Sequence, residues 1–395
     1  MEKFGKSQTV KRREDVRFLA GAGRYVDDIA PAGALRACFL RSQVAHAEIV
    51  ALDLERARAA AGVHLVLGVD DLAAAGIDPD MHGAPVKNRD GSMGANPARP
   101  VLARDRLRFV GEAIAVVVAG TLDQARDAVE LIEVDYTELP AHVTPKPGGE
   151  SIHPEAPENI AYDWAWGDKS ATDAAFSAAR HRVALEVVNN RIIANSIEPR
   201  GCFAEWDGSR LHLAVNGQGV WGQKAELVRA MGLAPGAVRV TNPDVGGGFG
   251  MKAMAYPESV VVATAARLLG QPVHWISERT EAMLSDNAGR DLVSNCELAF
   301  DENLRITAYR VNTISNLGAY NSQFAQAIQS DLFARVLTGA YDVQTIWHEV
   351  KGVYTNTTQV DAYRGAGRPE AIYALERAID NAARTLGFDQ WEFGC

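Results

Sequence analysis

A glycine-rich stretch is the part of this sequence whose residue types most directly suggest chemistry. Residues 245–252 read Val-Gly-Gly-Gly-Phe-Gly-Met-Lys, and a glycine inside a helix or strand costs roughly 0.5–1 kcal/mol relative to alanine. Because the run lies between an apolar segment and a helical one, it predicts a loop whose backbone N–H groups can hold an anion or a polar cofactor. A plain structural turn would have the same glycine content. Residues elsewhere in the chain must decide between the two interpretations.

Two familiar nucleotide-binding patterns do not fit this stretch. A Gly-x-Gly-x-x-Gly fingerprint would require glycine at position 251, where the sequence has methionine, and Lys252 lacks the spacing of a phosphate-binding loop. Lys252 suits a role as partner of a phosphate or carboxylate better than a role as nucleophile. Upstream, Glu198 and Arg200 flank a proline and are interpreted as a buried ion pair. His46 lies on an apolar segment and is interpreted as a histidine of the core.

The composition is that of a soluble globular protein with room for two or more domains. The 395 residues are 47% hydrophobic and 23% charged, and the formal net charge of −10 argues against nucleic acid as the main partner. No segment resembles a signal peptide or is apolar over a length that spans a bilayer. The four cysteines are far apart, so this chain alone is not expected to hold a disulfide framework, a zinc site or an iron–sulfur cluster. These features predict a cytoplasmic, reduced protein.

The order of strands and helices predicts an α+β protein in which a small α/β domain precedes a larger mixed one. Residues 1–15 are predicted as a polar arm, 16–140 as the small domain, 141–158 as a linker rich in Pro and Gly, and 159–395 as the second domain. Strands are predicted at 35–40, 64–68, 113–119, 132–136, 181–188, 211–215, 238–241 and 273–276, with a hairpin at 292–299 and 305–315. Helices are predicted at 53–61, 122–131, 172–179, 223–231, 257–269 and 369–386, and a long loop at 78–100.

A series of short motifs in a fixed order decides the meaning of the glycine run. They are residues 17–28, Arg-Phe-Val-Gly-Glu at 108–112, Val-Asp-Tyr at 134–136, Leu-Pro at 139–140, Glu-Pro-Arg-Gly at 198–201, Gln218, the glycine run at 246–250, Tyr-Thr-Asn at 354–356 and Ala-Tyr-Arg-Gly-Ala-Gly-Arg-Pro-Glu at 362–370. Together they resemble the large subunit of the molybdenum hydroxylase family, of the xanthine dehydrogenase and aldehyde oxidase type. One glycine loop would be weak support, but the ordered set is specific.

The resemblance implies a fold, a cofactor and partners. Residues 16–140 correspond to the family's α/β hammerhead domain and residues 159–395 to its first molybdopterin-binding domain. The cofactor is molybdenum–molybdopterin, with its cytosine dinucleotide form as one option, and the metal needs no direct protein ligand because the pterin and non-protein groups hold it. Iron–sulfur clusters and FAD are expected only on partner chains, a small [2Fe-2S] subunit and an FAD-binding medium subunit. The scattered cysteines agree with that division.

Carried over motif by motif, the resemblance places Gln218, Phe249 and Arg364 beside the molybdenum centre. Gln218 would donate a hydrogen bond to an oxo group, and Arg364 would offer a fork of donors to an oxyanion or the pterin. Phe249 would close the space with a rigid ring. The backbone of Gly247, Gly248 and Gly250 would approach the cofactor. Taken alone, Gln218 could be a surface residue, and Arg364 could pair with Glu370 or Glu198.

The residues expected to line the substrate depart from two branches of the family. Ala253 and Ala366 stand where purine-oxidising members have Glu and Phe, which weakens a xanthine substrate and leaves an aldehyde or an aromatic N-heterocycle. The loop at 363–368 lacks the cysteine that binds copper in the carbon monoxide dehydrogenases, so carbon monoxide oxidation is not expected.

The length departs from the family most of all. Family large subunits are about twice as long, and the glutamate that acts as their general base, in an oxidation by metal-hydroxide attack and hydride transfer, would lie beyond Cys395. No residue of this chain is therefore assigned as catalytic. In one hypothesis the chain is the amino-terminal part of a catalytic subunit, truncated and inactive until another chain supplies the missing half. In the other it is a non-catalytic remnant that only binds partner subunits. Residues 391–395 also differ from the family's usual continuation.

Overall fold

The computed structural model describes residues 11–389, which form an α+β protein as the sequence predicts. Its strands are β1 Leu35–Arg41, β2 Ala47–Asp53, β3 Val63–Leu67, β4 Asp80–Met81, β5 Arg99–Pro100, β6 Arg106–Leu107, β7 Ala113–Ala119, β8 Glu133–Glu138, β9 Ile160–Gly167, β10 His181–Asn189, β11 Ile192–Ile193, β12 Gly201–Trp206, β13 Leu211–Val215, β14 Val238–Thr241, β15 Val273–Ile276, β16 Ala288–Gly289, β17 Leu292–Phe300, β18 Ile306–Gly318 and β19 Ile346–Tyr354. Its helices are α1 Asp15–Leu19, α2 Glu55–Arg58, α3 Val69–Ala74, α4 Leu122–Val129, α5 Lys169–Ala178, α6 Trp221–Met231, α7 Pro257–Leu269, α8 Arg279–Ser285, α9 Ala325–Ala327 and α10 Arg368–Leu386.

A seven-stranded sheet in the order β14-β13-β12-β15-β1-β7-β3 joins the first and second halves of the chain. β1 pairs in parallel with β15, with Leu35 opposite Val273. All seven residues of β7 are buried because helices cover both faces of the sheet. One set of β7 side chains packs on α4, and the alternate set belongs to the core that contains α7. α7 also packs on β12 and β15, so its amino-terminal end, where the glycine run leads, is fixed by this core.

A second sheet of five strands, in the order β10-β17-β18-β19-β9, forms the other main layer. α10 packs on β10 and β17 through its buried alanines and aliphatic residues. The helix has Pro369 in its first turn and ends at Gly387, whose φ of 77° provides the left-handed cap. The 362–370 motif leads directly into α10, so this helix fixes the second motif loop as α7 fixes the first.

Most predicted elements are present, and the exceptions have physical causes. The predicted helix at 53–61 is limited to α2, because β2 continues to Asp53 in pairing with β8. At the start of the motif at 17–28, α1 continues to Leu19. The sequence pattern does not predict β19, because a buried histidine, His348, occupies an interior position where an apolar residue is expected. Residues 1–10 of the predicted arm and the 391–395 sequence are outside the described residues. No described helix combines the length and apolarity needed to cross a membrane.

Candidate functional site

The glycine run forms a sharply bent loop between β14 and α7. Gly247 and Gly250 have φ values of 100° and 98°, which side chains rarely allow. Phe249 also has a positive φ, 54°, which is uncommon for a bulky residue, yet 42% of its surface is exposed. Backbone strain at an exposed aromatic residue persists only where the surroundings enforce it, and such strain is concentrated at functional sites.

The 362–370 loop lies directly against the glycine loop. The N–H of Arg364 donates to the carbonyl oxygen of Phe249 at 2.8 Å. A Cβ atom on Gly250 would be 2.5 Å from the carbonyl oxygen of Ala362, so only glycine allows this contact. Ala366 completes the second loop with a φ of 41°. The structure thus brings together two motifs that are more than 100 residues apart in the chain.

Gln218, which follows β13, joins the same assembly. Its Oε1 accepts a hydrogen bond from the N–H of Gly250 at 2.8 Å, and its own N–H donates to the carbonyl oxygen of Lys252 at 2.9 Å. A Cβ atom on Gly248 would overlap the Gln218 side chain. Because Oε1 is occupied by an N–H donor, the amide NH₂ is the group left to donate elsewhere. The donor role of Gln218 toward a cofactor stays a prediction.

Glu198 and Lys252 hold both ends of the glycine loop. Glu198 Oε2 accepts from the N–H of Gly246 at 2.7 Å, and Lys252 Nζ lies 2.7 Å from the Glu198 carbonyl oxygen and 3.3 Å from Oε2. Lys252 is buried, and burial lowers its pKa although Glu198 opposes that shift. Lys252 therefore acts as the partner of a carboxylate, that of Glu198, which is one of the roles predicted for it.

The predicted ion pair between Glu198 and Arg200 is wrong. Arg200 lies in the interior, with its guanidinium 3.8 Å from the ring centroid of Tyr256, and pairs with Glu258 at 2.8 Å and Asp286 at 2.5 Å. Glu198 is instead bound to the loop above. His46 is a core residue as expected, and its Nδ1 lies 2.8 Å from the carbonyl oxygen of Pro140.

A buried arginine that the sequence did not single out anchors the second loop. Arg290 pairs with Glu370 at 2.9 Å, donates to the carbonyl oxygen of Arg364 at 2.7 Å, and lies over the Tyr363 ring. Glu370 and Glu198 are thus bound to Arg290 and Lys252, and the suggested pairing of either with Arg364 is wrong. The Arg364 side chain is exposed and has no hydrogen-bond or ion-pair partner within residues 11–389.

Asp361 is a second buried anchor of this loop. Its carboxylate accepts from the N–H groups of Ala362 at 2.5 Å and Phe324 at 3.1 Å. Burial raises its pKa from 3.8 to about 6, although these N–H groups and the Ser322 hydroxyl favour the charged form. The group is therefore expected to make folding depend on pH in mildly acidic solution.

We expect the contribution of Asp361 to the unfolding free energy to fall as the pH rises from about 4 to 6, because Asp361 keeps its proton in the folded chain and loses it in the unfolded one. The buried histidines His153, His274 and His348, whose pKa is lowered, contribute in the opposite direction. A shift of this size corresponds to about 3 kcal/mol. Denaturant unfolding across this pH range should show Asp361→Asn gaining stability relative to the wild type as the pH rises. The surface variant Asp342→Asn controls for the loss of one carboxylate. Equal slopes in Asp361→Asn and the wild type would contradict the assignment.

The two expected substrate-lining residues belong to the two touching loops. The N–H of Ala253 bonds to the carbonyl oxygen of Gly250, and that of Ala366 to the carbonyl oxygen of Tyr363. Both alanines are half-buried. Across residues 11–389, no group of three or more His, Cys, Asp or Glu side chains is arranged to hold a metal ion.

Family models match most of the chain. Residues 20–140 match the aldehyde oxidase and xanthine dehydrogenase a/b hammerhead domain, and residues 152–394 match the molybdopterin cofactor-binding domain.

Curated and solved relatives agree with these matches. The carbon monoxide dehydrogenase large chain of Hydrogenophaga pseudoflava is 32% identical over 96% of this chain and 48% of its own length. Quinoline 2-oxidoreductase from Pseudomonas putida 86 is 34% identical with a TM-score of 0.91, covering 98% of this chain and 49% of that one. The nicotinate dehydrogenase large molybdopterin subunit of Eubacterium barkeri is 29% identical over 95% of this chain and 85% of its own length. The chain thus spans about half the length of the first two relatives and most of the third.

Proposed function

Because the chain belongs to the aldehyde oxidase and xanthine dehydrogenase family of molybdenum-dependent oxidoreductases, we propose that its touching loops form one wall of a molybdopterin site in a molybdenum hydroxylase. The observation that carries the proposal is the convergence of Gln218, the glycine loop and the Arg364 loop. The substrate class is an aldehyde or an aromatic N-heterocycle.

The residues present fit this cofactor in shape and in donor chemistry. Gly247, Gly248 and Gly250 leave backbone without side chains where the loops meet. The exposed guanidinium of Arg364 presents five N–H donors suited to phosphate or carbonyl oxygens. The free amide NH₂ of Gln218 suits an oxo group. These donors orient a group that brings its own metal ligands.

When bound, molybdenum–molybdopterin supplies the two-electron oxidation of the substrate carbon, with water as the oxygen source. The residues of this chain bind and orient. Gln218 and Arg364 would donate hydrogen bonds to the cofactor, and the ring of Phe249, which is carried on strained backbone, would shape the space beside the cofactor and exclude water from it. The proton-accepting glutamate is proposed to come from polypeptide beyond this sequence, so the chain by itself is expected to give no turnover.

The remaining half of the site is proposed to come from polypeptide outside this sequence, in the same chain or in another. A molybdopterin subunit of similar length is known, because the chain covers 85% of the nicotinate dehydrogenase large molybdopterin subunit of Eubacterium barkeri. A small [2Fe-2S] subunit and an FAD-binding medium subunit would carry electrons away, in a cytoplasmic complex that uses the cytosine dinucleotide or the simpler form of the cofactor. The alternative is a non-catalytic remnant that binds partner subunits only.

Cofactor retention tests the proposal. The chain, produced together with the polypeptide that supplies the other half, should retain near-stoichiometric molybdenum and pterin fluorescence after gel filtration. Gln218→Ala should lower the retained molybdenum roughly tenfold, because the side chain both donates to the cofactor and holds the glycine loop. Gln344→Ala, on the surface, is the matched control. A folded complex without molybdenum or pterin would support the remnant and contradict the proposal.

A further inference from the structure

Arg99 is a buried arginine without an acidic partner. It lies at the end of the long loop at 78–100 and is 9% exposed. Within residues 11–389, its guanidinium makes one hydrogen bond, through Nη1 to Oε1 of Gln359, and lies 5.8 Å from the centroid of the Phe109 ring. Among residues 11–389, no carboxylate lies within ion-pair distance of it. A nearly buried guanidinium needs compensation, so this arrangement calls for an anion from elsewhere.

The buried carboxylates that act on Arg99 from a distance are already bound by other groups. Glu258 pairs with Arg41 at 2.7 Å and with Arg200 at 2.8 Å. Glu112 accepts from the backbone N–H of Arg108 at 2.6 Å and from the hydroxyl of Tyr320 at 2.8 Å. Burial lowers the pKa of Arg99, but an arginine keeps its proton under ordinary conditions. Arg99 thus represents a surplus positive charge.

Arg99 lines a cavity of about 330 Å³ between the 78–100 loop and the second domain. This is within the range of small-molecule sites. Its lining includes apolar residues, among them Met81, Ala225 and Met254. It also includes the polar residues Ser322 and Gln359, and Glu226, which is paired with Arg229. The cavity therefore suits a small molecule with one anionic end and an apolar body.

Hydrogen bonds and strand pairing hold Arg99 and its partner Gln359 in place. Gln359, which holds the guanidinium, donates from Nε2 to the carbonyl oxygen of Asn321 at 3.0 Å, and Asn321 donates to Asn96 Oδ1 at 3.0 Å. Arg99 itself pairs with Met81 between β4 and β5. A Cβ atom on Gly83 would be 2.6 Å from the carbonyl oxygen of Ser322, so the loop packs closely on the second domain. A preformed donor loses little ordering entropy when it binds a ligand.

The cavity adjoins both loops of the proposed molybdopterin site. Met254 and Ala255 on its wall follow Ala253, and Gln359 comes two residues before Asp361. We propose that Arg99 binds the carboxylate of a small organic acid in this cavity, which, if the proposed function holds, makes the substrate a molecule that carries a carboxylate. A carboxylate is favoured over phosphate because the other lining cation, Arg229, is already paired with Glu226 and Asp78.

Equilibrium binding to the purified full chain tests this inference, and benzoate, benzamide and inorganic phosphate are the probes. Benzoate should bind at least tenfold more tightly than its neutral isostere benzamide and than phosphate. Arg99→Gln should weaken benzoate binding at least tenfold, and Arg99→Lys should restore part of it because the charge is kept and the planar fork is lost. Arg104→Gln, which removes an exposed charge close in sequence, should bind like the wild type. A thermal melt of each variant confirms folding.

Several results would overturn the inference. Equal binding of benzoate and benzamide, or unchanged benzoate binding by folded Arg99→Gln, would exclude a carboxylate site at Arg99. Phosphate binding as tight as benzoate would assign an inorganic anion instead. If the polypeptide that completes the subunit abolishes benzoate binding and its assembly depends on Arg99, an acidic side chain of that polypeptide is the partner. Cofactor content is measured separately. A chain that binds benzoate but retains no molybdenum would contradict the proposed function and leave the carboxylate site at Arg99 supported.

Discussion

Gly250→Ala is expected to abolish cofactor retention while leaving the rest of the fold intact. The new Cβ atom would be 2.5 Å from the carbonyl oxygen and 2.8 Å from the carbonyl carbon of Ala362. These are backbone atoms and cannot rotate away as a side chain would. The φ of 98° adds strain of about 1–3 kcal/mol for any residue with a side chain. The two loops must therefore separate, which breaks the bonds from Gly250 to Gln218 and from Arg364 to Phe249.

Molybdenum content of the purified complex measures this effect, and we expect a decrease of at least tenfold. Gly236→Ala is the matched control, because its Cβ would have no atom within 4 Å and its φ is not positive. Circular dichroism should show the same secondary structure in both variants. Near-stoichiometric molybdenum in Gly250→Ala would show that contact between the loops is not required for the cofactor.

Arg200→Met is expected to lower the free energy of unfolding by about 3–5 kcal/mol. The variant would leave Asp286 without its ion pair and Glu258 with only Arg41, all inside the core. Burial opposes ionisation of Glu258, but Arg200 and Arg41 outweigh it and lower the pKa. The stability from this group is thus present above its ordinary pKa and lost as the pH falls towards the lowered one. The unfolding free energy of Arg200→Met should therefore decrease less than that of the wild type as the pH falls through this acidic range.

Denaturant unfolding at neutral pH measures the change. Arg56→Met removes an arginine whose pairing with Glu133 is exposed on both sides, so its effect should be within about 1 kcal/mol. A similarly small effect of Arg200→Met would mean that water or rearranged side chains compensate the buried carboxylates. The network would then not be needed to hold Tyr256, whose hydroxyl donates to the carbonyl oxygen of Met251 in the glycine loop.

Helix and strand bounds, which depend on residues adjacent in the sequence, are predicted better than contacts between residues that are far apart in it. α7 and β15 have the predicted bounds because a continuous apolar pattern, an initial proline and flanking glycines are local signals. That Gln218, the glycine loop and the Arg364 loop lie together could be expected only from the resemblance, because no local pattern encodes contacts between distant motifs. Arg290 and Arg99 carry no sequence signal, since an arginine is usually exposed. Only their burial in the fold distinguishes them.

The parallel pairing of β1 with β15 can form only late in synthesis at the ribosome, because β15 is translated long after β1. About 240 residues separate Leu35 from its partner Val273, which at cellular translation rates means roughly 10–50 s between the two. During that interval the nascent amino-terminal segment can form the antiparallel β1–β7 pair, but the other edge of β1 has no strand beside it. An unpaired apolar edge is a template for aggregation. Binding by a chaperone over those seconds, rather than the stability of the finished fold, would then set the yield of soluble protein.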